Sequence, residues 1–295
     1  SSTDSLDTDV ANLTLSITGA AYVNEANTLN VVSANTGLFS LSAAGATTLS
    51  QVTTSGALTV SLSAGDLTVG SVSANSQAVS LSTVGAVLDG DAGTDIAADS
   101  LSITAASVGS STDSLDTDVA NLTLSVTGAT YVNEANALDV SSATVGGSFM
   151  LNTSGKTTLN NLDAQAVTVL VGTGRLSVSQ ARTAGLLSLT SAGATSLSNV
   201  NALAGLNLTV NSGDLSLNGV NAETGRDQVV ELGAPLLDLA GQQRELRFRA
   251  RIGQRLLRGL AVFRFGRGQR LRGQIHAALD QRLIEAEQRL PLADG

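Results

Sequence analysis

SSTDSLDTDVANLTLSITGAAYVNEANTLNV, residues 1–31, returns as SSTDSLDTDVANLTLSVTGATYVNEANALDV, residues 110–140, with changes only at Ile17/Val126, Ala21/Thr130, Thr28/Ala137 and Asn30/Asp139. Near-identity at a fixed offset of 109 marks a repeat array, which has to be settled before any single element is assigned. Within the stretch, Leu13-Thr14-Leu15-Ser16-Ile17 alternates aliphatic with hydroxyl residues, the period of a strand with one buried face. Similar runs follow at Leu38–Leu41, Leu58–Leu62, Val79–Leu81 and Leu101–Ile103, their starts 20, 21 and 22 residues apart. A second series, Leu49–Val52, Leu67–Val69 and Val87–Asp89, falls between them at intervals of 18 and 20. Two interleaved series of short strands, punctuated by Gly, Asn or Asp, predict a chain that coils once per about 20 residues.

In such a coil each strand pairs in parallel with its counterpart one turn later, about 4.8 Å away, and aliphatic side chains stack into a narrow continuous core. The composition agrees: aromatics are 2% of the chain, Trp is absent, and the two prolines fit strands that must all donate their amides. Turn glycines such as Gly45, Gly56, Gly65 and Gly70 stand where positive φ or close backbone approach is needed. Asn24, Asn27 and Asn30 read either as the start of an asparagine ladder or as a surface turn. A second offset, 148, aligns Gly37–Val72 with Gly185–Val220, and its difference from 109 is 39, close to two whole coils. About 11 coils over residues 1–225 would make a rod of roughly 50 Å.

The phrases GDLTVGSVSA, AVSLSTVGAVLDGDAGTDI and ADSLSITAASVGSSTDSLDTDVANL resemble the repeats of filamentous haemagglutinin-type adhesins exported by two-partner secretion in Gram-negative bacteria. The resemblance covers residues 1 to about 222 and implies a right-handed parallel β-helix, export through an outer-membrane transporter, and a surface or secreted life. It further implies host-cell or matrix receptors or glycans as partners of the parent fibre. The family's N-terminal secretion domain has no counterpart here, and a chain starting without Met on the first residue of a repeat is expected to be a piece of something longer. No signal peptide and no run of 18 apolar residues is visible.

Charge divides the chain. Residues 1–225 hold Lys156, Arg175, Arg182 and 17 acids, whereas 226–295 hold 13 arginines and 8 acids and contain no Ser, Thr or Asn. In this second segment Leu246–Arg251 alternates like a strand, and Gln269–Leu290 spaces Leu271, Ile275, Leu279, Leu283 and Ile284 like an amphipathic helix ended by Pro291. Three readings of it stand open: a cap on the solenoid, a basic segment for a partner or membrane surface, and a tail translated in a shifted frame. The array itself divides by its repeats into 1–109, 110–180 and 181–225.

Cysteine is absent, which removes disulfides and thiolate metal sites. The densest acidic run is Asp89-Gly90-Asp91-Ala92-Gly93-Thr94-Asp95, with Asp99 beyond. Calcium takes six or more oxygens, so Asp89, Asp91 and Asp95 are the calcium candidates, but the EF-hand's ligand at loop position 5 and its bidentate Glu are missing and a solvated turn is the plainer reading. Asp4, Asp7 and Asp9 and their copies Asp113, Asp116 and Asp118 read the same way. No other cofactor is called for. The single histidine, His276, lies in the tail's helical pattern, so a hydrolytic triad lacks a base. Nucleic acid is not expected, because the array is strongly acidic. Tyr22 and Tyr131, equivalent by repeat, read as packing residues at the edge of a rung. The expectation is a non-catalytic shaft giving reach and a display surface; the rival is a polysaccharide-binding or polysaccharide-cleaving β-helix.

Overall fold

Backbone hydrogen bonds running lengthwise decide the architecture. The computed structural model describes residues 4–74 and 76–222 and, beyond them, the backbone of Val229–Leu232, Arg249–Arg251 and Val262–Phe265. It is all-β, a parallel β-solenoid of about 11 turns with rungs about 19 residues apart. A coil consists of three strands, as in Phe39–Ala43, Thr47–Leu49 and Val52–Thr54, followed one turn later by Leu58–Leu62, Leu67–Val69 and Val72–Ser73. The second predicted series therefore resolves into two strands. A corner of only two residues, Ser50-Gln51 or Gly70-Ser71, bends the chain without disturbing the aliphatic pattern around it, so the break was not legible as a gap.

Stacking places like on like. Val23 lies under Leu41, then Val60, Leu81, Ile103, Leu124 and Ala143. A second column runs Leu29, Thr47, Leu67, Val87, Val108, Thr130, Phe149, Val167, Leu187, Leu206. The alternation seen in the sequence puts these side chains inside and the intervening Ser and Thr outside, as the pleat requires. Phe39 and Phe149 are the largest buried side chains, and each sits over a small partner, Ala21 and Thr130 respectively. A core this thin accepts a ring only where the neighbouring rung gives up volume.

Buried hydroxyls finish the corners. Thr54, Thr153, Thr183 and Ser191 each donate to the carbonyl of the glycine two residues on, and the Thr83 hydroxyl donates to Gly65 O and accepts from the Gly85 amide. The Ser/Thr-x-Gly pattern is thus a corner signal: the hydroxyl satisfies backbone that turns away from the ladder, and a missing Cβ lets the turns stack. Gly65 shows the second requirement, since its φ is 80° and a Cβ there would stand 2.5 Å from Ala46 N.

The repeat does not return in phase. Val23 and its equivalent Val132 stand in different columns, Val132 stacking with Leu115, Leu151, Val169, Leu189 and Leu208. From Val23, five turns end at Leu124 and a sixth at Ala143, so the second copy begins part of a turn further round the rod. Both copies carry a register shift at the same place, Leu13/Thr14 and Leu122/Thr123.

Parallel pairing continues into the second segment, where Asn207–Val210 pairs with Val229–Leu232, that strand with Val262–Phe265, and Ser216–Asn218 with Arg249–Arg251. The strand expected over Leu246–Arg251 is described only at Arg249–Arg251, and the helix expected over Gln269–Leu290 lies outside the described residues.

Identical residues in different surroundings give a direct test of rung stacking. Leu6 is 61% exposed, while its equivalent Leu115 is 0% exposed beneath neighbouring coils. Leu115→Ala should cost about 2–5 kcal/mol, and Leu6→Ala should stay within about 0.5 kcal/mol, in urea unfolding of the two variants. Equal effects would mean that the stacking of coils is not the source of the burial.

Candidate functional site

Asparagine and aspartate side chains form ladders on the outer surface. Asn24 donates to Asp7 at 2.9 Å, Asn27 to Asp9 at 2.9 Å and Asn30 to Asn12 at 3.2 Å, with Ser50 adding a further rung on Asn30 at 2.9 Å. The second copy repeats the arrangement: Asn133 donates to Asp116 at 2.9 Å and accepts from Asn152 at 2.9 Å, and Asn136 donates to Asp118 at 2.8 Å. Four of the repeated aspartates are therefore acceptors in a ladder rather than bare turn residues. Because the copies are out of phase, the two ladders occupy different positions around the rod.

Each copy also buries one glutamate that clips successive rungs together. Glu134 accepts from the Thr117 hydroxyl at 2.9 Å, the Val119 amide at 3.1 Å and the Asn136 amide at 3.0 Å. Glu25 accepts in the same way from Thr8, Val10 and Asn27. Burial lifts the Glu134 carboxyl above its ordinary range despite these donors. At Glu25 burial also pushes upward, but the Thr8 hydroxyl and the Val10 and Asn27 amides outweigh it and hold the carboxyl low. Nothing in the sequence flagged these glutamates as buried; the available signal was that each falls at an inward position of an alternating strand, AYVNE or TYVNE.

The acidic run divides into an exposed turn, as its plainer reading had it, and one buried acid. Asp89 Oδ1 accepts from the Asp91 amide at 2.9 Å and Asp91 Oδ1 from the Gly93 amide at 2.6 Å, two local turns on an exposed loop. Asp95, by contrast, is 0% exposed, with Oδ2 accepting from the Asp116 amide at 2.8 Å. Asp89, Asp91 and Asp95 do not converge as calcium ligands: among the described residues no group of three His, Cys, Asp or Glu is placed to hold a metal ion. The physical reason is that Asp95 lies inward, one residue before the strand Ile96–Ala105, while Asp91 is held out on the loop by its own backbone.

Elsewhere the outer surface carries hydroxyl columns. Ser40 and Ser42 pair with Thr59 and Ser61, and these with Ser80 and Ser82, then Ser102 and Thr104, then Thr123 and Ser125, making two columns of hydroxyls across five rungs. A shallow groove of about 460 Å³ is lined by Ser76, Asp99, Asp118, Asn136, Val119 and alanines. Tyr22 and Tyr131 are half-buried on the outer face, beside Ser40 and Met150 of the next rung. Of the array's three cations, Arg182 stands 4.0 Å from Asp163 in an exposed pair, worth little in water. Compared with protein-family models, curated proteins and solved structures, the chain matches none.

The twin glutamates make opposite contributions to pH dependence. A lowered carboxyl such as Glu25 stabilises the fold above the ordinary 4.5 and loses that contribution as pH falls through its folded value; a raised one such as Glu134 stabilises most below 4.5 and loses that contribution as pH rises through its folded value. In urea titrations between pH 3 and 7, Glu25→Gln should lessen the loss of stability on acidification, and Glu134→Gln should remove a gain. The same direction of change in both variants would refute the assignment.

Proposed function

We propose that this chain is a section of a non-catalytic shaft in a bacterial surface or secreted adhesin, extending and displaying rather than turning over a substrate. The observation that carries the reading is the rung-on-rung stacking of mainly aliphatic columns inside, with hydroxyl columns across five rungs outside. Each coil adds about 4.8 Å of length at the same internal chemistry, so reach is set by coil number and not by any one residue. The outer face is Ser, Thr and Asn, which keep a fibre wetted, and the described array carries mostly acidic charge. The repeat phrases that resemble filamentous haemagglutinin-type adhesins support export of the parent protein through a two-partner outer-membrane transporter. Receptors or glycans on a host cell or matrix would then meet the side of the rod.

Column geometry makes the spacer role testable by subtraction. Leu151, Val169 and Leu189 stand in one column, so deleting residues 151–188 brings Leu189 to the place of Leu151 and removes two whole coils. The variant should fold, and small-angle scattering should show a rod shorter by about 10 Å. Deleting a fraction of a coil should instead lower stability, because the strands on either side of the junction no longer meet their columns.

The shaft reading also predicts inactivity towards acidic polysaccharides. Incubation of the chain with uronate polymers, with and without calcium, should release no unsaturated product. Turnover that disappears in Asp89→Asn or Asp91→Asn would replace the shaft with a polysaccharide-cleaving β-helix.

A further inference from the structure

The two copies of the repeated stretch are covered differently. Leu115–Val126 is one strand paired on both sides, with Ile96–Ala105 in the coil before it and with Thr130–Glu134 and Leu138–Thr153 after it. Its equivalent is two strands, Leu6–Thr8 and Asn12–Ser16, which among the described residues pair only with the coil that follows. Their registers on that side are those of the second copy: Leu6 meets Val23 as Leu115 meets Val132, and Leu13 meets Val31 as Leu122 meets Val140. Three inward aliphatics of this edge therefore face water. Val10 is 39% exposed against 2% at Val119, Ile17 is 42% exposed against 3% at Val126, and Leu6 differs from Leu115 in the same way. Leu13 and Leu15 are half-buried where Leu122 and Leu124 are buried.

The open end is not built as a cap. A cap on a stack of coils presents a polar outer face, and an exposed edge strand is ordinarily blunted by lysine, proline or an inward charge. Residues 5–17 contain neither lysine nor proline, and Asp7 and Asp9 belong to the outer ladder. All but one of these residues repeat residues that lie in the middle of the rod.

The second copy shows what such an edge accepts. Ile96, Leu101 and Ile103 are buried beside Thr117, Leu122 and Leu124, and Ser100, Ser102 and Thr104 continue the outer face beside Asn121, Thr123 and Ser125. At the head of that strand Asp95 holds the edge twice: its amide donates to Asp116 O at 2.9 Å, and its Oδ2 accepts from the Asp116 amide at 2.8 Å. Asp7, Thr8, Leu13 and Leu15 put the same residue types at the same places in the first copy.

We propose that the edge of residues 6–17 is a docking surface for one further coil of the array's own kind: a parallel strand with Ile, Leu or Val inward at the places of Ile96, Leu101 and Ile103, and a carboxylate at the place of Asp95. Docking joins the two short strands into one through Asp9-Val10-Ala11, as the second copy runs unbroken through Asp118-Val119-Ala120. The twin glutamates agree. Glu25 and Glu134 take the same three donors, but Glu134 has coils stacked on both sides and burial raises its carboxyl. Glu25 has the array on one side only; burial pushes its carboxyl upward less strongly, and its donors prevail. The docking requires only the stacking of coils, whatever the rod is for.

Extending the full chain is the test. Residues 86–109 copied ahead of Ser1 recreate there the sequence that leads into Ser110. Hydrogen exchange read by mass spectrometry, with Ile17 against Val126 telling the copies apart, should slow by about tenfold or more over residues 9–17 in the extended chain. Leu6→Ala should lower the melting temperature of the extended chain while leaving that of the unaltered chain unchanged. An extension carrying Ile96→Ser, Leu101→Ser and Ile103→Ser in the copied coil should produce neither effect. Exchange unchanged by the extension, or slowed equally by its serine version, would overturn the docking. So would exchange over 9–17 that slows in the unaltered chain with rising protein concentration and recovers in Leu6→Asp, because a second rod would then occupy the edge.

Discussion

Everything in this molecule depends on the parallel backbone ladder that joins each coil to the next. A parallel strand is buried through its neighbours, not through its own turn, so a single coil has no core and no reason to persist. Once rungs stack, every inward position faces the same position one turn away, and the selection on sequence becomes a selection on columns. Val23, Leu41, Val60, Leu81, Ile103 and Leu124 are one such column. The same constraint explains what is rare: proline would remove a donor from the ladder, and a large ring would hold adjacent rungs apart unless the next residue is small, as Ala21 and Thr130 are under the two phenylalanines.

How much of this could be read from the chain follows from which features are periodic. Strand existence, parallel stacking and the coil length rest on alternation and on repeats, and those survive translation into structure because a one-residue slip would turn every aliphatic outward. The two-residue corners left no trace in the pattern, so three strands per coil were read as two series. The Ser/Thr-x-Gly corners were visible as glycines but not as buried hydroxyls, since a threonine's inward position is betrayed only by its place in the alternation. The asparagine ladder was legible from spacing, with the turn reading beside it, because Asn24 and its acceptor Asp7 lie one coil apart.

The acidic run shows where sequence reading stops. Asp89, Asp91 and Asp95 look alike in a line of text, yet one ends a strand, one caps its own loop and one is buried. What separates them is the amide of Asp116, a full coil away, which draws Asp95 inward. Local composition suggested a solvated cluster; a contact about 20 residues distant decides the chemistry. The same holds for Glu25 and Glu134, whose donors come mainly from the preceding coil.

The out-of-phase repeat carries the argument one step further. If coils were interchangeable units, a duplicated segment would land a whole number of turns away and present the same face. Val132 instead falls between the fifth and sixth turns counted from Val23, and the duplicate stacks on different neighbours with its inward residues still inward. The thirty-one repeated residues therefore specify a local path, strand by strand and corner by corner, without specifying an azimuth on the rod. Burial makes the same point: Leu6 and Leu115 share a sequence context and differ in exposure because of what lies next to them. A fold in which identical text tolerates different neighbours can lengthen by duplication of almost any stretch whose ends meet the columns. Its surface motifs then distribute around the axis instead of lining one face.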